Sequence, residues 1–140
     1  MTVTLGKNKK WVKHLAAAAL VYIFINLIVY VDVTMRARSS YLKGLRYLDW
    51  HKHSQLKKEY LDGWLKKAKA GVKVKSDEEK KLLFTSIDMQ YEMQLQDNDA
   101  KNAYFWFKTT IECFKPPRSK YVRLAEEKII QAEKLWKNSE

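Results

Sequence analysis

Glycine and proline are scarce in this chain, four and two in 140 residues. Sandwiches and barrels need frequent turns, and so few turn-formers argue against them. Cysteine is scarcer still. Cys113 stands alone, so an internal disulfide and a cysteine-rich metal site are both excluded. One thiol also leaves the redox compartment open, and its expected place is that of a small buried apolar residue. No glycine-rich phosphate loop, His-Glu-x-x-His, nucleophile elbow or Cys-x-x-Cys occurs. His51-Lys52-His53, with Asp49 nearby, looks like a metal candidate. Residues two apart on a helix face different ways, however, so exposed polar histidines are the reading. Asp97-Asn98-Asp99 lacks the glycine and distal glutamate of a calcium loop and reads as helix capping. The expectation is therefore a non-catalytic protein with no cofactor and no metal.

Acids are the minority charge. Against 16 Asp and Glu stand 27 Lys and Arg, a formal net charge of +11. From Thr34 onward 23 cations face 15 acids. Such an excess favours an anionic neighbour, which is lipid headgroups, an acidic protein or nucleic acid. The cations are spread among acids without a reading motif, which argues against nucleic acid.

Apolar residues crowd into one place. From Leu15 to Val33, through Ile23 and Val31, 19 residues rise about 28 Å as a helix, close to the ~30 Å of a bilayer core. Trp11 and Tyr30 fall at its two ends, where aromatic rings favour the interface. Lys10 and Lys13 on one side, and Arg36 and Arg38 on the other, have stems long enough to snorkel to headgroups. Val31-Asp32-Val33-Thr34-Met35 is a poor signal-cleavage site. A chain this rich in lysine is also a poor jacket for a buried core helix. The expectation is one transmembrane helix over 15–33, preceded by a basic tail over 1–14. Asn26 is costly in hydrocarbon unless it finds a partner, and Ala16–Ala19 permit close approach of another helix. Lys7, Lys9, Lys10 and Lys13 before the run balance Arg36, Arg38, Lys43 and Arg46 after it. A basic start before an uncleaved apolar run reads as a signal anchor, with the N-terminus inside and the remaining chain outside.

Beyond the run the periodicity is helical throughout. Tyr41, Leu45 and Leu48, then Leu56, Tyr60, Leu61, Trp64, Leu65 and Ala68, make one stripe over 34–70. The membrane helix is expected to continue into it as a rod, bending near Ser39-Ser40 or Gly44 and stopping at Gly71. After the connector Val72-Lys73-Val74-Lys75, Ser76 and Glu79 form a capping-box pattern. Leu83, Ile87, Tyr91 and Leu95 follow at steps of four, with Leu82, Met89 and Met93 widening the face. Ala100, Ala103, Tyr104, Phe107, Ile111 and Phe114 mark a central helix, which Pro116-Pro117 ends. Ser119 is placed to cap a last helix, with Tyr121, Leu124, Ala125, Lys128, Ala132 and Leu135 at its inner edge.

The fold class is all-α: a single N-terminal transmembrane helix, a juxtamembrane helix over 34–70 and a small antiparallel helical domain over 76–138, four helices after the membrane boundary. Small residues at Ala103, Ala125 and Ala132 with aromatics between them resemble a tetratricopeptide hairpin, although the Trp-x-x-Leu-Gly-x-x-Tyr signature is absent. Tyr104-Phe105-Trp106-Phe107 is too thick for one helix face, which makes Phe105 and Trp106, with Asn26, candidate partner contacts. The expected partners are the lipid bilayer and other subunits of a membrane complex, in which this chain is an accessory or scaffolding component. The alternative is a membrane-anchored adaptor that recruits an acidic soluble protein, such as an electron carrier or a client, by electrostatics.

Overall fold

The computed structural model describes residues 8–74, 76–115 and 118–139. Lys7, Lys75, Pro116 and Pro117 lie outside the described residues, as do the side chains of Lys9 and Lys10. Five helices and no strand occur among the described residues: α1 Asn8–Lys52, α2 Ser54–Ala70, α3 Asp77–Gln96, α4 Asp99–Cys113 and α5 Lys120–Lys137. The apolar run and the first part of the juxtamembrane stripe, as far as Lys52, are thus one uninterrupted helix.

The rod ends earlier than its sequence suggests. The 34–70 stripe is two helices, broken at His53, whose φ of −134° and ψ of 78° leave the helical region. His53 N–H still donates to Asp49 O, and His53 O accepts from Leu56 N–H, so the break spans a single residue. Helical hydrogen bonding continues through Ser39-Ser40 and Gly44, where a bend was expected. Those residues serve packing instead. The Ser40 hydroxyl donates to Trp106 O at 3.2 Å. A Cβ on Gly44 would lie 2.6–2.9 Å from three ring carbons of Phe107, so glycine here admits the ring.

Contacts define an antiparallel arrangement. Ser40 meets Trp106, and Tyr41 stacks on Phe107 at 5.8 Å, while Tyr47 lies within the electrostatic reach of Asp97 and Asp99. Descending α1 thus matches ascending α4. Helix α5 returns along α4, with Trp136 against Tyr104 at 5.4 Å and Glu126 against Lys115 at 2.7 Å. Helix α4 is central, as its periodicity indicates. It packs between α1 and α5 around Tyr41, Leu48, Ala103, Phe107, Ala125 and Ala132. The alanines let helix backbones approach, and Phe107 fills the space they leave.

Helices α2 and α3 form a second antiparallel pair. Tyr91 donates to Asp62 at 2.7 Å, and Lys69 pairs with Asp88. Helix α3 has no buried residue, and Leu82 and Met93 are 72% and 68% exposed. These two residues and Met89 therefore do not widen an inner face, because α3 contacts only α2. On α2 the inward side is also rotated from the expected stripe. Leu56 and Tyr60 are exposed, while Lys57 and Leu61 are buried. On α5, Val122 replaces Leu124 at the inner edge.

The capping pattern is right in position and partly wrong in chemistry. Ser76 and Ser119 both stand at N-caps, yet neither side chain makes a capping bond. Backbone oxygens serve there, Ser76 O accepting from Lys80 N–H and Ser119 O from Val122 and Arg123 N–H. The side chain of Asn98 does cap α4, accepting from Lys101 N–H at 3.0 Å.

Candidate functional site

The apolar part of α1 takes no part in the domain. Helix α1 is long and apolar enough to cross a membrane, and none of its most apolar stretch is buried. Leu15, Ile23 and Val31 are all exposed, as are Trp11 and Tyr30. Asn26 turns its amide back onto its own helix, Nδ2 donating to Tyr22 O at 2.8 Å. That bond meets part of the cost of an amide in hydrocarbon. At the domain end, Arg36 pairs at 2.9 Å with Asp32, the one acid within the run. Ala37, only four residues past Val33, is fully buried by the domain.

Farther along α1, aromatic and cationic side chains converge. A cavity of about 360 Å³ is lined by Lys43, Arg46, Tyr47, Trp50, Tyr60, Gln94, Asp97 and Trp106. Helix α1 supplies Lys43, Arg46, Tyr47 and Trp50, and the other walls are Tyr60 of α2, Gln94 at the end of α3, Asp97 at the α3–α4 junction and Trp106 of α4. The Lys43 ammonium sits 4.3 Å from the Trp106 ring centre, and the Arg46 guanidinium 5.2 Å from that of Tyr60. Trp50 stacks on Tyr60 at 5.2 Å and meets Tyr47 edge-on at 5.1 Å. Burial, then the charges of Asp97 and Asp99, push the Tyr47 phenol above its ordinary pKa, so it is a neutral hydrogen-bonding group. Cations held over rings in this way present both positive charge and flat apolar surface. The chemistry available is recognition of anionic or planar groups.

Beneath this cavity lies the ion pair that sequence reasoning missed. Lys57 is 4% exposed. Its ammonium lies 2.8 Å from Asp99 Oδ1 and donates to Asp97 O at 3.0 Å. It thus fastens the start of α2 to the junction between α3 and α4. Burial raises the Asp99 pKa above 3.8, with Lys57 and then His51 acting the other way. A signal was present: Lys57, Leu61, Trp64 and Ala68 share helical spacing, but a lysine is normally assigned to solvent.

The partner-contact candidates do not form one site. Phe105 is exposed and packs against Trp136 at 5.9 Å, while Trp106 lines the cavity beneath Lys43. Cys113 is exposed, contrary to the buried place expected for it. It lies on the last turn of α4, where the packed stripe Ala100, Ala103, Phe107 and Thr110 has run out. His51 and His53 are exposed, and no group of three or more His, Cys, Asp or Glu able to hold a metal occurs among the described residues.

The fold and these sites define an all-helical protein with one helix of membrane-spanning length and a small basic domain. No family model, curated protein or solved structure matches the chain.

Proposed function

We propose that this chain is a non-catalytic, single-pass accessory or scaffolding subunit of a membrane complex. One observation carries the reading: the apolar run is unburied by its own domain and continues without a break into that domain's central packing. An uninterrupted helix couples the two parts mechanically, as a positioning subunit requires. Residues 15–33 span the bilayer, with the N-terminus inside and the domain outside. Asn26 and Ala16–Ala19 meet another transmembrane helix, and Phe105 meets a partner outside the bilayer. The alanine seam of α4 and α5 supports tetratricopeptide-like packing, a scaffold suited to protein contacts.

Purification in mild detergent followed by mass analysis tests the proposal. Co-purifying chains, lost on Asn26→Leu or Phe105→Ala, are the expected result. A strictly monomeric, partner-free protein would refute it. Labelling Cys113 with an impermeant thiol reagent tests the orientation, and reaction from the outer side only is expected.

The cavity favours a second reading, a membrane-anchored adaptor for an acidic soluble partner. Lys43 and Arg46 over aromatic walls suit a carboxylate-bearing surface. Binding that weakens steeply with salt and on Lys43→Gln/Arg46→Gln is expected. Salt-insensitive association would exclude this reading.

A further inference from the structure

The pairing of α1 with α4 sets how far the domain stands from the apolar run. Ser40 is level with Trp106. Seven residues down α1 from Ser40 is Val33, and seven residues along α4 from Trp106 is Cys113, each a travel of about 10 Å toward the membrane. The end of α4 therefore returns to the level of the hydrocarbon boundary. Burial agrees with the register. Ala37 is fully enclosed, and the Thr34 hydroxyl oxygen is out of contact with solvent. Helix α5 starts near this end of the domain, where Tyr121 meets Tyr41 at 6.1 Å, about 12 Å along α1 from Val33.

Two separate stretches of sequence thus meet at this end of the domain, and together they are basic. Residues 32–38 and 112–127 contain Arg36, Arg38, Lys115, Arg118, Lys120 and Arg123 against Asp32, Glu112, Glu126 and Glu127. Glu126 gathers Lys115 at 2.7 Å and Arg118 beside it, and these two partners hold its pKa below the ordinary value. Asp32 is engaged by Arg36, and Glu112 lies 3.9 Å from Lys108. Arg38, Lys120 and Arg123 are exposed. The headgroup layer is about 5–8 Å thick on each side of the hydrocarbon, within reach of these long side chains.

We propose that this basic end is a collar that rests the domain on the bilayer and binds anionic lipid headgroups. The inference rests on the reading of residues 15–33 as a membrane span. The collar gives the domain a second attachment, formed only when α4 and α5 are folded against α1. Insertion reads the linear neighbours of the span as they emerge, so cations brought in by folding do not enter the orientation count.

Cys113, the only thiol, reports the contact directly. The full-length protein is reconstituted into vesicles of phosphatidylcholine with phosphatidylglycerol and labelled there with an environment-sensitive fluorophore. A control carries Cys113→Ser and Ser54→Cys, whose label lies at the start of α2, just past the end of α1 that is about 30 Å from Val33. Lipids carrying a quencher on the headgroup are expected to quench the label at 113 and to leave that at 54 bright. Quenching at 113 is expected to be stronger with a quencher-bearing phosphatidylglycerol than with a quencher-bearing phosphatidylcholine. That ratio falls several-fold toward one in the variant Lys115→Gln/Lys120→Gln/Arg123→Gln, because each cation contributes roughly fivefold to association with an anionic surface. The charge-matched control Lys58→Gln/Lys66→Gln/Lys67→Gln leaves the ratio unchanged. A label at 113 as bright as that at 54, in protein that resists alkaline extraction, overturns the collar alone. Quenching without anionic preference overturns its lipid specificity. Protein that alkaline carbonate extracts overturns the span, and the collar with it.

Discussion

Removing Lys57 tests how the domain is held together. Its ammonium lies between the Asp99 carboxylate and the Asp97 carbonyl, and both side chains of the ion pair are nearly enclosed, at 5% and 11% exposure. Lys57→Met keeps the stem's volume and deletes the charge. Asp99 is then an uncompensated buried carboxylate and Asp97 O loses its donor. Breaking a buried pair from one side costs about 3–5 kcal/mol. Small domains have about 5–15 kcal/mol of stability in all. Burial already outweighs Lys57 at Asp99, whose folded pKa stands above 3.8. The stability tied to such a group is fully present below its unfolded value and is lost as pH rises through the folded one. Without Lys57 the folded value climbs further. The deficit of the variant is therefore largest at pH 7 and shrinks as pH falls toward 4. Urea unfolding of the detergent-solubilised full chain, followed by tryptophan emission, measures both. Asp99→Asn keeps an acceptor but leaves the buried Lys57 ammonium without its counter-charge, so it should cost about 3 kcal/mol, the lower end of the same range. Lys57→Met/Asp99→Leu should recover most of the single-variant loss. A Lys57→Met cost below about 1 kcal/mol at pH 7, or one that does not change with pH, would refute the reasoning.

Two glycines separate close approach from mere tolerance. Gly44→Ala should destabilise by about 1–3 kcal/mol, because its Cβ collides with the buried Phe107 ring. Gly44→Ala/Phe107→Leu should regain part of that in thermal melts. Gly63→Ala meets nothing within 4 Å and should stabilise by about 0.5–1 kcal/mol in the same assay. Glu126→Gln removes the acid whose depressed pKa lends stability above its unfolded value near 4.5 and loses it as pH falls through the folded one. The variant should flatten the acid limb of the melting-temperature profile. It should also raise the preference of the Cys113 label for anionic lipid, since Lys115 and Arg118 are freed.

Local order along the chain set most of the secondary structure. Apolar residues at steps of three and four place helices α3, α4 and α5 within a few residues of their ends. Asp97-Asn98-Asp99 marks a true boundary, because the short side chain of Asn98 satisfies a free N–H at the start of α4. The apolar run from Leu15 was equally plain, since a helix long and apolar enough to cross a membrane is read from length and composition. The break at His53 was not legible, because no proline or glycine marks it and Lys57 counted as solvent-facing. Burial of Lys57 against the Asp97-Asp99 junction, forty residues away, helps hold α2 in its turned course.

The sequence by itself determined an all-helical chain, the apolar half of α1 and the sign of the charge, because periodicity, length and composition are local properties. The tertiary structure alone decided that Gly44 receives Phe107, that Lys57 is buried, and that Lys43 and Arg46 join Trp106 and Tyr60 around one cavity. It also brought Lys115 and Arg118 together on Glu126 and set the start of α5 against Tyr41 of α1. Most of these contacts join residues tens of positions apart, and only the packing of the helices on one another creates them.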